Sequence, residues 1–143
     1  MTRKLDYGDP RTPVVRAVIR RPSGEILGLR KKEEEGKWEL PGGKIRENED
    51  RFEAAKREIR EETGLVIANF SDLARVEIED GKKGCANAYI VYSELDKPIE
   101  IELSDEHDVK KWVRPEEYKN LDFHRHSVYS VPTVENLDTY LHE

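Results

Sequence analysis

The sequence predicts an α+β domain built on a mixed β-sheet. Three observations carry this: several short β-branched runs bounded by turn residues, one long helical segment set between them, and a clean alternation of apolar and acidic residues further on. The elements follow in order. Residues 1–12 are polar, carry Gly8 and Pro10, and form a loose lead-in. Val14 to Arg20 is β-branched and predicts a strand; Pro22-Ser23-Gly24 makes a turn, and Glu25 to Arg30 is its hairpin partner. A charged loop from Lys31 to Lys37 leads to a short extended piece, Trp38-Glu39-Leu40, stopped by Pro41-Gly42-Gly43.

From about Asn48 to Thr63 there is no glycine or proline. Phe52, Ala55 and Ile59 recur at helical spacing, and Gly64 is a natural C-terminal stop. Strands are expected at Leu65–Ile67, Leu73–Ile78 and Ala86–Tyr92, with a turn at Asp80 to Gly84. Ile99 to Leu103 alternates as a half-buried strand does, and Val109–Val113 adds another. Pro115 to Tyr118 reads as a helix start with proline in the first turn, and Val134–Leu141 as a short terminal helix.

The chain of 143 residues is long enough to bury a real core and fits one domain spanning residues 1–143, with no internal repeat or linker-like stretch. Charged residues reach 39% and apolar ones 36%, so an ordered protein with a heavily charged surface is expected. A formal charge of −6 argues against binding nucleic acid or an anionic membrane. It leaves open a small anionic substrate, because bound cations invert the field inside one cleft. The one cysteine, Cys85, excludes an intramolecular disulfide framework and suits a reducing compartment. The first ten residues lack an apolar signal-like stretch, and no later run approaches a membrane span, so the expected location is the cytoplasm.

The chemistry concentrates on the long helix. Glu58, Glu61 and Glu62 stand at i, i+3 and i+4, so they share one stripe about 100° wide that borders the sector of Phe52, Ala55 and Ile59. Three like charges beside a core need positive compensation. Arg57 is spaced to pair with Glu61, but one arginine does not balance three carboxylates. Divalent cations do, and hard oxygen ligands select magnesium, with manganese as a substitute. Gly42-Gly43 lets the backbone approach closely and offer a carbonyl oxygen. Taken alone, a Glu-rich helix with interspersed basic residues is more often a solvated face; the ordered pattern around it decides otherwise.

From Gly43 the sequence reads GKIRENEDRFEAAKREIREETGL. This resembles the Nudix box, G-x5-E-x7-R-E-U-x-E-E-x-G-U with U aliphatic. Gly43, Glu49, Arg57, Glu58, Ile59, Glu61, Glu62, Gly64 and Leu65 fill every specified position. The approach, Trp38 to Gly42, is also similar. The box covers 23 residues, and the strand order around it extends the likeness to most of the chain.

The resemblance implies an α/β/α sandwich around a central mixed sheet and a hydrolase of the MutT-like kind. Such an enzyme cleaves a diphosphate linkage in a nucleoside diphosphate joined to another group, by attack of water at phosphorus. Carried over by position, Glu58, Glu61 and Glu62 bind magnesium, with the Gly42 carbonyl as an extra ligand. A carboxylate of this set, or one outside the box, acts as base, and Arg57 and Glu49 orient the cluster. MutT-type enzymes often use a further glutamate on a later loop; Ser104 to Asp108, followed by Trp112-Val113, looks like that region and nominates Glu106.

Arg30 and Lys31 end a strand near the box and are candidates for holding phosphate oxygens, as is Lys44, although such residues are more often simply solvated. Phe123-His124-Arg125-His126 is a candidate lining of a nucleobase pocket, with Phe123 as a substrate-binding candidate, against the plainer reading of an ordinary loop. Trp112 is expected in the core, and Trp38 is open between core and base stacking. Cys85 lacks basic neighbours that would activate it, so a structural role is expected.

Two substrate readings remain. One is a nucleoside triphosphate; the other is ADP-ribose, a nucleotide sugar or a dinucleoside polyphosphate. The proline many ADP-ribose hydrolases carry beyond the box has no match near Asp80-Gly81-Lys82, and the tyrosine of dinucleoside polyphosphate hydrolases is missing there, which favours the triphosphate. A non-catalytic nucleotide sensor would tolerate loss of box carboxylates, and this chain keeps them all. A homodimer is a modest expectation from relatives.

Overall fold

A computed structural model describes residues 12–31, 37–80, 84–97, 101, 107–121 and 130–142. The side chains of Lys31, 78–80, 84–86 and 107–109 lie outside that description. The strands are β1 (Val14–Arg20), β2 (Ile26–Lys31), β3 (Trp38–Glu39), β4 (Gly42–Lys44), β5 (Ser71–Asp80), β6 (Gly84–Glu94) and β7 (His107–Val113). The helices are α1 (Arg51–Thr63), a 3₁₀ segment (Pro115–Asn120), α2 (Val131–Glu135) and α3 (Leu137–Leu141).

The sheet is mixed. Its central path runs β3-β2-β1-β6-β5, with β4 added to β1 and β7 to β2. β1 and β6 pair in parallel, from Val14 opposite Ala88 to Arg20 opposite Glu94. The other pairings are antiparallel. Period-2 alternation splits the apolar residues between the two sheet faces. Val15, Ala17, Ile19, Leu27 and Leu29 pack with Ala54, Ala55 and Ile59 of α1. Val18, Ile26, Ile90 and Val113 pack with Tyr118, Val134 and Leu137 from the C-terminal segments. Helices therefore cover both faces, as expected of an α/β/α sandwich. Trp112, expected in the core, is partly buried and packs against the edge of the α1-side cluster.

Helix α1 starts at Arg51, later than the sequence suggests. Arg46 and Glu49 close a turn first, with the Glu49 amide donating to the Arg46 carbonyl and the Arg46 amide to Glu49 Oε1. Asp50 then caps the helix, its carboxylate accepting from the Glu53 amide at 2.8 Å. Gly64, at φ 76°, ends it as expected. Ile59 is fully buried on its inner face, a burial that stabilises by roughly 1.5–3 kcal/mol. Asp50→Ala is expected to fray the first turn and lower the melting temperature by roughly a few degrees in a thermal melt. An unchanged melt would show that tertiary packing alone sets the helix start.

Three expectations need correction. Leu65–Ile67 is not a strand: Gly64–Phe70 joins no β-ladder among the described residues, although Leu65 and Ile67 are buried and Val66 exposed. An extended chain draped over a core gives the same period-2 pattern as a strand. Pro41-Gly42-Gly43 does not merely stop β3; Gly42 and Gly43 begin β4. The C-terminal helix is two short helices, broken at Asn136. The turn around Gly81–Lys83 and most of the proposed strand Ile99–Leu103 lie outside the described residues.

Candidate active site at the edge of helix α1

The site is assembled by β4 lying along β1. Gly42 sits opposite Arg16, Gly43 opposite Val15 and Lys44 opposite Val14. The ladder extends at both ends, with the Ala17 amide donating to the Pro41 carbonyl and the Ile45 amide to that of Pro13. This brings the two glycines against the last turns of α1. The Gly42 amide donates to Glu62 Oε1 at 2.8 Å.

The three stripe glutamates, equivalent in the sequence, differ sharply in depth. Glu62 is 3% exposed, while the Glu58 and Glu61 side chains are 16% and 53% exposed. Burial pushes the Glu62 carboxyl up to about 9, reinforced by Glu58 and Glu39; Arg16 and the Gly42 amide pull the other way. Arg57 ties the stripe to the preceding loop. It donates to Glu49 through Nε and Nη2 at 2.6 and 2.8 Å, to Glu58 at 2.8 Å and to the Lys44 carbonyl at 3.1 Å. Glu61 lies 3.5 Å from Arg57 Nη1, the i,i+4 pairing read from the spacing. Hydrogen bonding to Arg57 holds the Glu49 carboxyl below its ordinary range, and the same bonds raise Arg57.

Among the described residues no three acidic, imidazole or thiol groups converge as they stand on one ion-sized point. Glu62 is turned to the Gly42 amide, and Glu58 and Glu61 to Arg57. The donor chemistry nevertheless suits a hard cation. Carboxylate oxygens at graded depth share one edge, and burial among neighbouring acids opposes ionisation of the deepest of them, Glu62.

Other predicted site residues fall unevenly. Lys44 is exposed at the end of β4, beside the stripe. Arg30 is half-buried in β2, opposite both Trp38 and Val109. Lys31 is placed by its backbone alone, opposite His107. Glu106 and Phe123 lie outside the described residues, as do His124, His126 and the side chain of Cys85. An open groove of about 680 Å³ runs between Val66–Ser71 and Tyr92–Asp96. It lies towards the Arg20 end of β1, away from the Val14–Arg16 stretch that carries the glycines, and no stripe glutamate lines it.

Sequence reasoning missed two residues at the site. Arg16 and Glu39 lie 3.5 Å apart, with side chains 14% and 5% exposed, and Arg16 Nη1 also donates to the Leu40 carbonyl at 3.0 Å. The available signal was an arginine in the middle of a mostly apolar strand, flanked by Val15 and Ala17, and an acid between Trp38 and Leu40.

The family model described as "NUDIX domain" matches residues 10–133, which contain all of this geometry. The chain belongs to the Nudix family. Among curated relatives, a nucleoside triphosphatase NudI of Salmonella arizonae is 34% identical over 96 residues, covering 61% of this chain and 68% of its own. The crystal structure of a MutT protein from Methanosarcina mazei Go1 superposes with a TM-score of 0.78 at 28% identity, over 94% of this chain and 98% of that one. An Ap4A hydrolase of C. elegans reaches a TM-score of 0.75 at 22% identity, over 92% and 98%, a likeness of fold. This chain is accordingly a Nudix hydrolase with an α+β fold. Among the described residues no helix is long and apolar enough to cross a membrane.

Proposed function

We propose that this Nudix hydrolase is a magnesium-dependent nucleoside triphosphate pyrophosphohydrolase, with manganese able to replace magnesium. The observation that carries the metal reading is the edge where Glu62, Glu58 and Glu61 meet the Gly42-Gly43 backbone. In this reading the three carboxylates hold the cation, joined by the Gly42 carbonyl and by Glu106. A bound cation offsets charge developing on the phosphate oxygens and polarises phosphorus.

The protein's own groups do the rest. One carboxylate of the set accepts a proton from the attacking water as its oxygen bonds to phosphorus. The anhydride P–O bond breaks, and pyrophosphate leaves with the electron pair. Arg57, fixed by Glu49, keeps the glutamates in register, and Arg30, Lys31 and Lys44 face the phosphate chain, with Phe123 against the base. The triphosphate choice draws on the relatives named for nucleoside triphosphatase activity. We further place the activity in the cytoplasm, in one domain, with a homodimer to be tested by sedimentation.

The deciding experiment is a screen with magnesium against nucleoside triphosphates, nucleotide sugars, ADP-ribose and dinucleoside polyphosphates. Pyrophosphate release from at least one triphosphate is expected, with little turnover of the other classes. Preferential cleavage of ADP-ribose or a nucleotide sugar would overturn the triphosphate reading.

A further inference from the structure

Strand β5 ends the sheet on its side, and among the described residues β6 is its only strand partner. It is ten residues long, paired from Ser71 opposite Tyr92 to Asp80 opposite Gly84. Along its outer edge every second residue turns an amide and a carbonyl away from β6, a template for another strand. Edges of this length are commonly blunted by bulges or by charges of one sign. The irregularity in this strand falls between Asp72 and Ala74, and from there the pairing runs regularly to Asp80.

The charges on β5 are of both signs. Arg75 and Glu77 are exposed and, two residues apart, stand on one sheet face. Neither makes a side-chain hydrogen bond or ion pair with a described residue. Val76 between them is half-buried on the other face, packed with Ala74 against the cluster of the C-terminal segments. In an antiparallel ladder, residues directly opposite share a face, so a twofold axis joining two copies of β5 passes through a residue. An axis through Arg75 or Glu77 sets that charge against itself, and one through Ile78 sets Glu77 against Glu79. An axis through Val76 sets Arg75 opposite Glu77 of the partner subunit and Glu77 opposite Arg75 of the partner subunit. Directly opposite side chains of unlike charge stabilise a ladder, and like charges there oppose it.

We propose that the outer edge of β5 is a homodimer interface, on which a second copy of this chain lays its own β5 antiparallel, centred on Val76. Two symmetric Arg75–Glu77 pairs set the register. The proposal rests on the homodimer reading above and gives it an interface; it does not depend on the metal or the substrate. The ladder, Ala74 to Ile78 in each copy, is short, so the dimer is weak and forms with rising concentration.

The test is sedimentation equilibrium of the full-length chain over the micromolar to millimolar range, with circular dichroism to check the fold of each variant. The wild type is expected to self-associate. Arg75→Glu faces acid with acid and Glu77→Arg faces base with base, so each alone is expected to weaken self-association by ~10-fold or more. An equimolar mixture of the two single variants restores unlike charges at both positions, as does the double variant Arg75→Glu/Glu77→Arg. Both are expected to associate within about threefold of wild type. Should either reversal unfold the chain, Arg75→Gln and Glu77→Gln remove the charge without reversing it; a loss of about threefold supports the pairing, and no loss overturns it. A wild-type dimer that both reversals leave intact overturns the interface while the homodimer reading stands. Reversals that dissociate the dimer with no recovery in the mixture or the double variant overturn it too. A wild type that stays monomeric throughout refutes the homodimer reading itself and the interface with it.

Discussion

Glu62→Gln is expected to lower magnesium-dependent kcat/KM by about 10³-fold or more while making the metal-free protein more stable. A cation bound by carboxylates contributes several kcal/mol of transition-state stabilisation, and each 1.36 kcal/mol is tenfold in rate. Glutamine keeps an oxygen that can accept the Gly42 amide hydrogen bond but carries no charge to hold the cation. The stability gain follows from burial. In the absence of metal, Glu62 is a nearly inaccessible carboxylate whose ionisation is opposed first by desolvation.

Its folded-state value of about 9 lies above the ordinary 4.5, so between those limits the folded protein holds a proton the unfolded chain has released. Stability therefore falls as pH rises through that window. Urea midpoints measured in EDTA at pH 6, 7 and 8 should decline for the wild type and decline less for Glu62→Gln. Magnesium should flatten the wild-type slope by binding only the folded state. Glu61→Gln makes an instructive contrast: Glu61 is half exposed, so turnover should fall without the gain in stability. A wild-type midpoint that rises with pH in EDTA would sink the account of Glu62.

That contrast marks where the sequence stops being informative. The helix, its apolar face and the Arg57-to-Glu61 spacing follow from local periodicity, which depends on residues a turn apart. The depth of each glutamate does not. It depends on β4 lying along β1, and a Pro-Gly-Gly string hides a strand because those residues read as a chain break. The Arg16–Glu39 pair is equally invisible to periodicity. It joins β1 to β3 across a hairpin, and the long-range pairing that creates the contact leaves no trace except two charges where apolar residues are expected. The alternation in Leu65–Ile67 fails in the other direction, because burial period reports the surface a chain lies on and not whether a neighbouring strand is there to bond it.

The two glycines should fail in different ways when each is changed to alanine. Gly42 has φ 149°, where L residues are strained, and a Cβ there would lie 2.0 Å from the Val15 carbonyl oxygen. Arg16 Cα would lie 2.9 Å away as well, and none of these contacts can yield, since they are backbone atoms of a paired strand. Backbone strain and overpacking each cost about 1–3 kcal/mol, so Gly42→Ala is expected to lose ~3–5 kcal/mol of stability in urea denaturation. Gly43 carries no such backbone strain. A Cβ at Gly43 would instead meet the Glu58 carboxylate, with Cδ and Oε1 both at 2.6 Å. That side chain can move aside, at the expense of its bond to Arg57. Gly43→Ala should therefore fold with a near-normal urea midpoint and lose turnover, with a raised magnesium requirement as the displaced Glu58 no longer faces the cation. If Gly43→Ala loses stability as severely as Gly42→Ala and keeps its magnesium dependence, then the glycines serve only the β1–β4 pairing, and the close approach to Glu58 is incidental to the chemistry.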